Sequence, residues 1–328
     1  MLRFFNISVA VIVFLSFSIF KVQSTLVDKV TNYDNSKLNK KKIVFVSGKD
    51  SHGRGEHEFR AGCHLLAKLL NKNTSEIDAV VTENGWPDDL SIFDGADVIV
   101  MYSDGGNGHM VIPHLEEVDK LVKKGIGIVV LHYAIEVPKG KAGDYFSNWL
   151  GGYFEAYYSV NPIFIPEFVK FPKHPITNGV KPFEIKDEWY YHLRFVDTKK
   201  ITPVLSAHPP LSTLLPEENS VRGNNEFVRK DLQDGKIQTM AWAFERPDGG
   251  RSFGFSGGHY HSNWANDDFR KLVLNAIVWT AKLNVPKNGV VTPTPSATEM
   301  EYLLKAHRAP GTIPPGTAPK PAEAPATK

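Results

Sequence analysis

The 328-residue chain carries 38 basic and 36 acidic side chains, a formal net charge of +2, with 42% hydrophobic and 23% charged residues. This is the balance of a soluble globular protein, and it argues against a nucleic-acid partner, which needs a concentrated basic face. A single cysteine, Cys63, excludes an internal disulfide and a Cys-rich metal site, and leaves 12 histidines as the main store of reactive side chains.

The chain opens like a secretory signal over residues 1–24. Arg3 supplies the positive charge, Phe4 to Phe20 is mostly apolar, and Val22-Gln23-Ser24 precedes a cut near Thr25. The rival is an uncleaved anchor, but an apolar stretch of about 17 residues, broken by Asn6, Ser8, Ser16 and Ser18, is marginal for a membrane span. The expectation is a secreted or periplasmic protein with no stable membrane insertion after cleavage. Residues 25–41 read as a flexible lead-in, 42–285 as one α/β domain, and 286–328 as a Pro/Ala-rich disordered tail, with a short helix around Glu299 to His307 allowed.

Within the domain, Ile43–Val46 is a buried strand, and Phe59, Cys63, Leu66 and Leu70 set a helix over His57–Leu70. Strands follow at Ala79–Val81 and Asp97–Met101. The loop Ser103–His109 is glycine-rich but lacks the dinucleotide fingerprint, so no nucleotide cofactor is expected. Pro113 opens a helix that ends at Lys124 before Gly125, and Ile126–Leu131 is the most apolar strand. The second half is richer in strands: Ile163–Phe168, Val204–Ala207, Ile237–Phe244 and Arg251–Ser256, the last two forming an antiparallel hairpin across Pro247-Asp248-Gly249-Gly250. An amphipathic helix, Asp267–Leu283, closes the domain. This alternation implies a doubly wound, mostly parallel sheet with helices on both faces.

Ligands of such sheets bind outside the carboxyl ends of the strands. The segments there carry His52, Glu56, His57 and Glu58 after the first strand, Asp104 and His109 after the third, His132 after the fourth, and Gly258-His259-Tyr260-His261-Ser262-Asn263-Trp264 after the last. In an extended segment His259 and His261 would share a face. Imidazole serves equally as metal ligand and as acid or base. Asp187-Glu188-Trp189-Tyr190-Tyr191-His192 is a second constellation, able to bind sugar hydroxyls, ligate a metal or supply a carboxylate; in a strand, Glu188, Tyr190 and His192 would share one face. The candidate catalytic residues are Glu188, His259 and His261. Asp104, Asp187, Tyr190, Asn263 and Trp264 are candidate substrate contacts, and His57, His132 and His259 are candidate ligands of a divalent ion such as zinc.

Ser51-His52-Gly53-x-Gly55-Glu56-His57-Glu58-Phe59, Leu131-His132-Tyr133-Ala134, His174-Pro175-Ile176, Asp187-Glu188-x-Tyr190 and Gly258-His259-Tyr260-His261-Ser262-Asn263-Trp264 together resemble the trehalose-utilisation (ThuA-like) family, from about Lys42 to Leu283. The resemblance implies a flavodoxin-like fold related to class I glutamine amidotransferases. Those relatives place a cysteine on a sharp turn after a central strand; the corresponding turn here carries His132-Tyr133-Ala134, which puts thiol acyl transfer in doubt. The resemblance also implies carbohydrate catabolism, with an oxidised (3-keto) sugar or glycoside as the substrate class and a small-molecule sugar as partner. A hydrolase, lyase or isomerase acting by acid/base or metal-assisted chemistry is one expectation; a non-catalytic carbohydrate-binding protein using the same crevice is the other.

Overall fold

Continuous apolar runs make strands only where both faces are covered, and this is how the central sheet is built. In the computed structural model, which describes residues 40–197 and 199–305, seven strands form it: β1 (Lys41–Ser47), β2 (Ile77–Thr82), β3 (Ala96–Tyr102), β4 (Gly127–Leu131), β5 (Ile201–Ala207), β6 (Gln238–Glu245) and β7 (Arg251–Phe255). Their order is β5-β6-β7-β4-β3-β1-β2. The five strands from β7 to β2 pair in parallel, and β6 pairs antiparallel with both β7 and β5. The expected hairpin and mostly parallel sheet are therefore present.

Side chains alternate between two cores. Ile43, Phe45, Val98, Val100, Val129 and Leu131 face α1 (Phe59–Asn73) and α5 (Asp267–Thr280). Val44, Val46, Ile99, Met101, Ile128 and Val130 face α2 (Leu115–Lys123) and α3 (Lys141–Leu150). Cys63 is fully buried in the first core, and burial pushes its thiol pKa up, as suits a packing residue. Among the described residues no helix is long and apolar enough to cross a membrane.

Several boundaries differ from expectation. The stretch Ile163–Phe168 is two short ladders, because Pro166 has no N–H to continue one; Ile163–Phe164 pairs with Asp187–Glu188, and Glu167–Phe168 with Phe183–Glu184. Helix α3 and α4 (Glu226–Gln233) were not anticipated. Gly143 disguises α3 in the sequence, yet a β-carbon there would stand 2.6 Å from the Tyr153 ring, so close packing requires the glycine.

The expected tail boundary also moves. Residues 286–305 lie against the domain: Val290 is buried, its N–H donates to Asn275 Oδ1 at 2.7 Å, and the buried Arg270 donates from Nε to Thr292 Oγ1 at 3.0 Å. A short helix, α6 (Ala297–Glu301), is closed by a Ser296–Glu299 capping box. Buried polar side chains on α5 need partners, and this segment supplies them. The expected signal sequence, most of the lead-in, and the tail from residue 306, with His307, lie outside the described residues.

Candidate metal centre

Three strand ends deliver three imidazoles to one point. His132 follows β4 directly, on a sharp turn with φ 55° that enters a single 3₁₀ turn, His132–Ile135. His57 lies in the loop after β1 with φ 47°, and His259 follows β7 through Gly258, whose φ of 112° few other residues adopt. Non-glycine residues at positive φ are costly and gather at functional sites. His57 Nε2 stands 3.1 Å from His132 Nε2 and 3.0 Å from His259 Nδ1. Glu188 Oε2 is 3.4 Å from both His132 Nε2 and His259 Nδ1. One donor atom from each of the four residues lies within 4.8 Å of all the others.

Proton accounting shows what this arrangement suits. The Ser256 carbonyl can only accept, so His132 Nδ1 carries a proton and donates it at 2.8 Å. Asp104 Oδ1 accepts from His57 Nδ1–H at 3.0 Å. A neutral imidazole has one N–H, so Nε2 of both rings is a bare lone pair, and the two lone pairs face one another. Burial first, then the repulsion that charge on His132 would meet from charge on His57, and charge on His57 from His52, His259 and Lys305, drives both rings well below the ordinary histidine pKa. Facing lone pairs with an ionised carboxylate beside them are relieved by a shared cation. Three imidazole nitrogens, two of them with their outer nitrogens fixed by Asp104 and the Ser256 carbonyl, fit a divalent metal ion, with the Glu188 carboxylate beside them.

The remaining polar groups hold this set in place. Burial works against charge on both His259 and Glu188, but their mutual hydrogen bond and attraction outweigh it. His259 is raised above its ordinary pKa, and Glu188, helped by His132 and Tyr190, is held below its own. Tyr190 Oη donates to Glu188 Oε2 at 3.0 Å, and Asn161 Nδ2 to Oε1 at 2.9 Å. Asp187, fully buried, accepts from the backbone N–H of Gly258 at 2.7 Å and of His259 at 3.0 Å. Burial raises its pKa to about 6. The Tyr102 hydroxyl donates to the Gly258 carbonyl.

The structure brings His57, His132, His259, Glu188, Tyr190 and Asp104 together, and removes four expected residues from direct chemistry. His261 is not in the cluster, because the chain leaves the extended form at Tyr260 and enters a 3₁₀ turn, His261–Ala265, so alternation fails. Trp264 is wholly buried against Phe269 and cannot touch a substrate from there. Asn263 donates to the Lys186 carbonyl at 2.9 Å, and Asp187 braces backbone; both shape the site without facing it. His192 departs from the face of Glu188 and Tyr190: with φ 55°, its Nδ1–H donates to the Tyr158 carbonyl.

Sequence reasoning gave His52 no role, yet its ring lies 3.6 Å from that of His57 and its side chain is 41% exposed at the rim. It also missed the buried Glu136, which binds Arg222 beside Tyr133. Nothing local in the sequence links residues 86 positions apart.

Among solved structures, a ThuA-like protein from Bacteroides uniformis is similar at TM-score 0.51 and 17% identity, covering 74% of this chain and 91% of that one. Another from Parabacteroides merdae gives 0.49 and 16%, over 76% and 92%. A glutamine amidotransferase from Methylobacillus flagellatus gives 0.35 and 11%, over 70% and 72%. At such identities the likeness is one of fold. No curated protein matches the chain. The family model described as trehalose utilisation matches residues 42–280, and on that match the chain belongs to the ThuA family.

Proposed function

We propose that this protein is an exported enzyme of carbohydrate catabolism that uses a divalent ion, zinc or similar, to act on an oxidised (3-keto) sugar or glycoside. The observation that carries the reading is the meeting of the Nε2 atoms of His57 and His132, 3.1 Å apart, beside the Glu188 carboxylate. His57, His132 and His259 would hold the ion, which would supply Lewis-acid polarisation of the keto oxygen. A keto group acidifies the adjacent C–H; Glu188, kept ionised by His259 and His132 and oriented by Tyr190 and Asn161, takes that proton. The electron pair then either returns to carbon with a proton, giving isomerisation, or expels the glycosidic oxygen at the next carbon, giving elimination. Asp104 and His52, partly exposed, stand at the open rim to meet the departing group.

The test is incubation of metal-loaded full-length protein with a 3-keto-glucoside, with and without chelator. The expected result is loss of substrate that stops on chelation and with Glu188→Gln. Folded, metal-loaded protein that binds the sugar without turnover would instead mark a carbohydrate-binding protein. For export, the expected mature protein begins near Thr25 in the extracytoplasmic fraction; recovery of the intact N-terminus there removes the cleaved-signal reading.

A further inference from the structure

The loop that presents His57 is held from two sides, and one of them comes from the far end of the chain. Within residues 51–58, His52, Gly55 and His57 all have positive φ, at 55°, 89° and 47°. Such a conformation persists only where its surroundings over-determine it. The inner side is tied to the segment after β7: His57 N–H donates to the His259 carbonyl, and His261 N–H to the Gly55 carbonyl, both at 2.9 Å. The outer side is tied by Lys305. Its ammonium is buried and donates to the carbonyls of Ser51, Glu56 (2.6 Å) and His57 (3.4 Å). An ammonium has three N–H groups and no acceptor, so all three are spent on one loop.

The backbone of Lys305 is engaged as well. Its N–H donates to Glu58 Oε2 at 3.0 Å, while Glu58 Oε1 accepts from Gly55 N–H at 2.8 Å. Arg54 donates from Nη1 to the Lys305 carbonyl at 2.5 Å and from Nη2 to Glu301. Five residues of the His57 loop (Ser51, Arg54, Glu56, His57 and Glu58) therefore bond to one residue 247 to 254 positions away. A purely structural strap would be satisfied by apolar packing or by surface ion pairs; a buried ammonium is costly, and its use here is to fix carbonyl positions.

We propose that Lys305 is a positioning residue for the metal centre: residues 286–305, beyond the stretch that matches the family, form a strap whose terminal ammonium sets the loop and so the place of His57. The proposal rests on His57 being a metal ligand. Without the ammonium, three carbonyls lose this partner, the loop relaxes toward ordinary φ, and His57 Nε2 withdraws from His132 and His259.

The experiment uses full-length protein, with cobalt(II) as a spectroscopic substitute. Affinity is read by competition with a chromogenic chelator, site geometry by visible absorption, and folding by circular dichroism. Lys305→Met is expected to fold and to lose about 10- to 100-fold in cobalt affinity, the range seen when groups orienting a ligand are removed, with an altered visible spectrum. Wild-type affinity together with a wild-type spectrum in that variant overturns the proposal. Should Lys305→Met fail to fold, Arg54→Ala loosens the strap's end and leaves the ammonium in place. A loss of several-fold is then expected, and unchanged affinity overturns the proposal. Wild-type protein that binds no cobalt overturns the metal reading itself, which separates the two failures.

Discussion

His109 and His132 are both buried imidazoles at the carboxyl edge of the sheet, yet they do opposite work. His109 Nδ1 accepts from Val111 N–H at 3.2 Å and its Nε2–H donates to the Ala134 carbonyl at 2.9 Å. One neutral tautomer satisfies both nitrogens from within the protein. His132 meets backbone only at Nδ1; its Nε2 faces His57 Nε2 at 3.1 Å, with the Tyr190 hydroxyl 3.4 Å away. A histidine with both nitrogens answered by backbone is structural; one with a nitrogen aimed at other lone pairs awaits a cation. The two are also coupled, because His109 buttresses the carbonyl two residues beyond His132.

The sharpest way to break this comparison is to delete a ligand. His57→Ala should lower divalent-metal affinity by more than about 100-fold, since removing even the orienting partner of a ligand costs about 10- to 100-fold. The fold should survive, because the sheet and both cores do not depend on that ring. Metal content of the purified variant, measured against wild type, decides it; equal content in both would remove the metal centre. Stripping the ion from wild type should then lower the thermal midpoint. With free metal at about 1,000 times the dissociation constant, linkage contributes on the order of 4 kcal/mol, or a drop of roughly 10 °C for a domain of this size. An unchanged melting curve would mean that the site binds nothing in the folded state.

His109 sharpens the comparison from the other side. Burial lowers its pKa from 6.5 to about 4. Between those values the unfolded chain binds a proton that the folded chain does not, so stability rises with pH there. The contribution is present in full above pH 6.5 and is lost as pH falls to about 4. At about 1.4 kcal/mol per pKa unit, the window is worth on the order of 3 kcal/mol. Denaturant melts of wild type and His109→Gln across this range should differ in slope, the variant being flatter; parallel curves would show that His109 charges freely in the folded protein.

Legibility in the sequence followed the range over which each cause acts. The strands were readable because Ile43–Val46 and Ile128–Leu131 are apolar on both faces and bounded by turn residues. The rule for strand ends then placed His57, His132 and His259 at one edge without any knowledge of side-chain directions. It failed one residue later: the alternation that paired His261 with His259 assumed an extended chain, and the 3₁₀ turn starting at His261 points the second ring elsewhere. Trp264 was misread because an aromatic beside a site looks like a sugar platform, whereas its burial against Phe269 depends on where α5 docks. Lys305 left no signal, since a lysine in a proline-rich stretch shows nothing of three carbonyls contributed by a distant loop.

The smallest expected effect tests whether Asp104 serves the ligand or the substrate, two roles that its position alone allows. Its Oδ1 accepts from His57 Nδ1–H at 3.0 Å, and its side chain is 36% exposed. A carboxylate on the outer nitrogen fixes the tautomer and makes the inner nitrogen a stronger donor to a cation. Asp104→Asn keeps an oxygen that can accept the same hydrogen bond, so the tautomer survives and only the charge is lost. Metal affinity should fall by about tenfold, equivalent to about 1.4 kcal/mol. If Asp104 served the substrate alone, the substitution would raise KM and leave metal affinity untouched. Measuring both in one variant separates the roles: a change confined to KM would detach Asp104 from His57, and a change in metal affinity would place the carboxylate, the imidazole and the ion in one line of charge.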